Sequence, residues 1–150
     1  MKIQELHIQA MDLAEQADFL KMQGQNAEAK PLYEQSLQAE KEAAYLAKSQ
    51  QIGEPTESVL FRSAASLAYG LKDFREAERL ICMGLAGNPP QDIARELREL
   101  YDQVNLERNL EQLNVNHPEN KHEAVTITIP VKEKSLLQVL VRKFGWACVF

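Results

Sequence analysis

Residues 58–90, SVLFRSAASLAYGLKDFREAERLICMGLAGNPP, read as two helices folded back on each other around a short turn. Val59, Leu60, Ala64, Ala65, Leu67, Ala68 and Leu71 recur at helical spacing, which predicts a helix over 59–71. Lys72-Asp73 then reads as a turn. Asp73 is a good N-cap, and Glu76 three residues later completes a capping-box pattern. A second helix is predicted over 74–86, with Ala77, Leu80, Ile81, Gly84 and Leu85 on one face. Gly87 ends it, and Pro89-Pro90 blocks its continuation. Ala65, Ala77 and Gly84 are small enough for close helix approach, while Phe61, Phe74 and Ile81 fill the space between the helices.

A shifted copy of the pattern lies upstream in Leu13, Gln16, Ala17, Leu20, Gly24, Ala29, Tyr33 and Ser36. The spacing of Phe61, Ala64, Ala65, Ala68, Ala77, Ile81, Gly84 and Pro89 resembles a tetratricopeptide repeat. The two copies cover a little over half of the chain. An ordinary antiparallel bundle with alanine-rich contacts is the alternative. The equivalent turns at Gly24 and Lys72 lie 48 residues apart, against the family's roughly 34, so an irregular array is expected. The resemblance implies a binding scaffold whose groove is lined by the first helix of each pair. By position, Ala14, Asp18 and Lys21 line it from the first copy, and Arg62, Ser66 and Tyr69 from the second. With Lys21, Arg62 and Tyr69 make a mixed aromatic and basic surface suited to an acidic or amphipathic peptide. Tyr69 packed against a capping helix is the other arrangement open to it. The family's clamp for a terminal carboxylate uses Lys and Asn where Ala14 and Asp18 stand, so no such clamp is expected.

Elsewhere, residues 3–23 read as a long helix with Ile8, Met11, Leu13, Ala14, Ala17 and Leu20 on its buried edge. The next helix runs from Asn26 to about Lys48, bent slightly at Pro31. Gly53 and Pro55 break the linker 49–55. Residues 91–113 predict a final helix whose polar outer face suits a cap that shields the stack from water. Arg95 and Arg98 on that face are candidate contacts for an acidic partner.

The fold class is therefore mostly α: antiparallel hairpins and a capping helix over 1–113, a linker over 114–122, and a small strand-helix tail over 123–150. In the tail, Val125, Ile127 and Ile129 alternate with Thr126 and Thr128, a strand pattern. Residues 132–144 return to helix. So small a piece must dock, pair with another copy as a homodimer, or join a partner's sheet. Residues 127–146 also resemble the strand-helix ending of short bacterial antitoxin-like proteins. That resemblance implies a competing role, regulation through a toxin partner or DNA. The second helix of the ribbon-helix-helix motif is missing, and Thr126 and Thr128 are not the Arg or Lys that DNA contact favours.

The formal charge of −5 over 150 residues disfavours nucleic acid as a general partner, although 131–150 carry a local excess of basic residues. Two cysteines, Cys82 and Cys148, fit a reduced cytoplasmic chain, with Cys82 expected as a buried, inert thiol. Residues 1–16 are amphipathic and polar, unlike a secretory leader, and no apolar run suggests a membrane span. His117 and His122 lack a zinc-pair geometry, His7 is expected at a helix edge, and no phosphate-binding or nucleophile motif appears. The expectation is a non-enzymatic module with no cofactor or metal, whose partner is another protein or peptide.

Overall fold

The computed structural model describes residues 2–116, with side chains as far as Glu111. Five α-helices follow one another: α1 Lys2–Met22, α2 Asn26–Ser49, α3 Thr56–Gly70, α4 Phe74–Leu85 and α5 Gln91–Asn116. Each packs on its neighbour in the chain, and α3 also meets α5. Such nearest-neighbour stacking is compatible with a helical repeat. No described helix is long and apolar enough to cross a membrane. α5 runs on to Asn116, into the linker expected over 114–122, because the helical pattern continues past Leu113. The rest of that linker and the tail expected over 123–150, including Val125, Ile127 and Ile129, lie outside the described residues.

The two hairpins share one turn geometry, offset by 48 residues. After α1, the N–H of Gln25 donates to Leu20 O and that of Gly24 to Lys21 O, each at 3.0 Å. After α3, Asp73 N–H donates to Ala68 O at 3.0 Å and Lys72 N–H to Tyr69 O at 2.9 Å. Both are Schellman caps, which need a left-handed residue just past the helix. Gly24 supplies it at φ +80, Lys72 at φ +62. The next residue then starts the following helix at once. Asp73 caps α4 by accepting from Glu76 N–H at 3.1 Å. The expected return bond of a capping box is not formed. The Glu76 carboxylate pairs instead with Lys41 at 2.5 Å and Arg79 at 2.6 Å, which ties α4 to α2.

Alanine sets the spacing of the core. Ala17 and its counterpart Ala65 are wholly buried, and Ala29 and Ala77 are buried at the second-helix position. Gly84 is tighter still: an added Cβ would lie 3.0 Å from Leu97 Cδ1 and 3.2 Å from Phe61 Cβ. Side-chain volume at that crossing therefore comes from Phe61, Leu80, Ile81 and Leu97. Tyr45, on the long second half of α2, meets Phe61 edge-on at 5.4 Å. In the first hairpin, Ser36 stands where Gly84 does in the second, and its hydroxyl donates to Ala10 O at 2.7 Å.

Some expectations need correction. α3 begins at Thr56, three residues before the apolar pattern does, because its first turn, Thr56, Glu57 and the buried Ser58, holds no apolar side chain to give a periodic signal. Ile8 is exposed, on the opposite side of α1 from the buried Ala10 and Ala17. Cys82 is exposed as well, since the inward face of α4 is taken by Ala77, Leu80, Ile81 and Gly84.

Candidate binding groove

α1 and α3 face each other across a cleft of about 350 Å³. Met11, Ala14, Asp18 and Lys21 come from α1 at spacings of three and four residues, so one helix face presents all four. Opposite them stand Ser63, Ser66, Leu67 and Gly70 of α3. Tyr33 of α2 closes one end. Of the residues predicted for the groove, Ala14, Asp18, Lys21 and Ser66 do come together here.

The charges in this cleft are largely matched internally. The Tyr33 hydroxyl donates a short hydrogen bond to Asp18 Oδ1. Burial, then the hydrogen bond and charge of Asp18, push the Tyr33 hydroxyl up to about 12, so it remains a neutral donor. Lys21 Nζ lies 5.9 Å from the Tyr33 ring centroid, a cation–π contact. The Ser66 hydroxyl donates to Arg62 O at 3.0 Å, which leaves its oxygen lone pairs for a ligand.

Arg62 and Tyr69 turn away from this cleft toward α5. Arg62 forms an ion pair with Glu96. The Tyr69 hydroxyl reaches Glu107 at 3.4 Å, and its ring packs 6.0 Å from Phe74. Burial holds the Tyr69 hydroxyl above its ordinary range. The capping helix supplies carboxylates to both, so the aromatic and basic surface expected from the sequence is consumed within the fold. Arg95 and Arg98 lie on the exposed face of α5, with Arg95 3.9 Å from Glu99. They are not part of the groove lining.

Comparison with protein-family models, curated proteins and solved structures gave no match. The groove's chemistry is therefore read from its own residues.

Beside the groove sits a buried acid that helical periodicity does not announce. Glu40 of α2 is wholly buried. Nδ1 of His7 lies 3.0 and 2.9 Å from its two carboxylate oxygens. Burial raises the Glu40 carboxyl above the usual carboxylate range, while His7, Ser63 and Arg62 pull it back. His7 is thus a helix-edge residue, as expected, but one anchored to a buried acid. What signal the sequence holds lies in its position: Glu40 interrupts the buried stripe of Ser36, Ala43, Ala44 and Ala47 at helical spacing. Among the described residues, no group of three or more His, Cys, Asp or Glu side chains gathers as a metal site would require.

Proposed function

We propose that the protein is a non-catalytic protein-interaction module of tetratricopeptide type, acting in the cytoplasm and binding a peptide segment of a partner in the α1–α3 groove. The reading is carried by the first helix of each hairpin facing a common cleft, supported by the small residues Ala17 and Ala65, and Ala29 and Ala77, buried at equivalent positions of the two hairpins. Met11, Ala14 and Leu67 offer apolar contact, while Lys21 and Ser66 offer one donor and one acceptor. Asp18 and Tyr33 hold each other, so they shape the groove more than they charge it. This lining suits an amphipathic segment with a small apolar anchor, since aliphatic walls rimmed by a few polar groups favour such ligands.

The test fills the groove without touching the core. Ala14→Arg with Ser66→Arg should abolish capture of specific partners by the full-length chain while circular dichroism stays unchanged. Partners identified by mass spectrometry that persist with the folded double variant would remove the groove from consideration.

A further inference from the structure

A second surface lies on the opposite side of α1, and the internal recurrence shows what it lacks. Asp12, Glu15, Gln16, Phe19, Leu20 and Leu32 line an open cleft of about 600 Å³. Moved forward by 48 residues, these positions are Leu60, Ser63, Ala64, Leu67, Ala68 and Leu80. In the second hairpin Leu60, Ala64, Ala68 and Leu80 are buried, Ser63 faces Glu40 of α2, and Leu67 faces the first hairpin across the groove. α2 is the helix that α3 packs against there. Among the described residues, no helix covers the same face of the first hairpin. Phe19 is left 62% exposed and Met22 87% exposed.

The composition of the open face states what would cover it. Ile8, Asp12, Glu15, Phe19 and Met22 form one stripe along α1, at steps of four, three, four and three residues. The stripe is apolar at both ends and acidic in the middle. Among the described residues, Asp12 and Glu15 have no ion-pair partner and no basic side chain lines the cleft. We infer that this face docks a basic amphipathic helix of a partner protein, with Lys or Arg opposite Asp12 and Glu15 and apolar residues against Phe19, Leu20 and Leu32. The occupant is a helix because a helix covers the equivalent face one hairpin later. It is basic because only cations complement two unpaired carboxylates beside an apolar floor. A second copy of this face would set Asp12 and Glu15 against their own like charges. The surface is distinct from the α1–α3 groove and does not depend on that reading.

The probe is a fluorescent amphipathic helical peptide of about 16 residues, some four to five turns, with two central lysines three apart and leucines on the same face. A matched peptide carries glutamates in place of the lysines. Fluorescence anisotropy with the full-length chain should show binding of the lysine peptide only, weakened by added salt. Asp12→Lys with Glu15→Lys, and separately Phe19→Ala, should each weaken it by about tenfold or more. All three positions are exposed, so the variants retain the fold, which circular dichroism checks. Ala14→Arg with Ser66→Arg should leave binding unchanged, separating this face from the groove. Equal binding of both peptides, or binding indifferent to the α1 substitutions, overturns the inference. So does concentration-dependent dimerisation of the wild-type chain that Phe19→Ala abolishes, since that would make a second copy the occupant.

Discussion

Two left-handed residues, Gly24 and Lys72, do the same job with different chemistry. Each ends a first helix and turns the chain directly into the second. Gly24 adopts φ +80 at no steric cost, and a Cβ added there would meet nothing within 4 Å. Its importance is therefore conformational. Gly24→Ala should destabilise the protein by about 1 kcal/mol, the penalty of an L-residue in the left-handed region. Lys72 already bears that penalty, so Lys72→Gly should shift stability the other way by a smaller amount, because glycine also loses more freedom on folding. Urea midpoints of the two variants check both signs. Neither position is legible as left-handed from the sequence. In sequence Gly24 signals a break and Lys72 only part of a turn, because lysine announces nothing about a positive φ.

Between elements, crossing distance is set by what is absent from side chains. Ala77 is wholly buried on α4, which packs against α3, with Ala65 and Ala68 buried on the latter. Ala77→Leu should overpack that crossing and destabilise by about 1–3 kcal/mol. A thermal unfolding midpoint equal to wild type would place Ala77 at the surface and break the register of the repeat. The helices themselves, their order and their approximate ends were legible in apolar periodicity and in the breakers Gly24, Gly53, Pro55, Gly87 and Pro89. The partner of Glu76 was not. A capping-box pattern predicts a local bond, but Lys41 and Arg79 offer a carboxylate two cations, and charge-assisted pairing outcompetes a single backbone donor.

At the scale of the molecule, one buried acid joins the first three helices. Glu40 on α2 faces His7 from α1, and Ser63 and Arg62 from α3. Burial raises its folded carboxyl above the unfolded value. The folded chain therefore holds that proton more readily than the unfolded chain does. Its contribution to stability is complete below the unfolded carboxylate range and is lost as pH rises through the raised folded value. Glu40→Gln, which cannot ionise, should flatten the fall in stability across that window and leave the acidic side little changed. Urea midpoints of wild type and variant, followed from acidic to neutral pH, measure the difference. Curves of equal slope would show that water or His7 already compensates the charge.

The amino-acid sequence by itself determined the helices, the hairpins, the alanine crossings and half of the groove. Those features depend on local spacing: which residues share a helix face, and where glycine and proline interrupt it. Ala14, Asp18, Lys21 and Ser66 could be placed together because each lies on a face whose phase the apolar residues fix. The tertiary structure alone decided which polar side chains stayed available. Arg62 and Tyr69 share the α3 helix with Ser66, yet they are taken up by Glu96 and Glu107, carried on α5 more than thirty residues later. His7 and Glu40 found each other across a comparable distance. The open face around Phe19 emerged only when its counterpart was seen covered. Pairing across helices is set by how they stack, and periodicity within one helix carries no record of that.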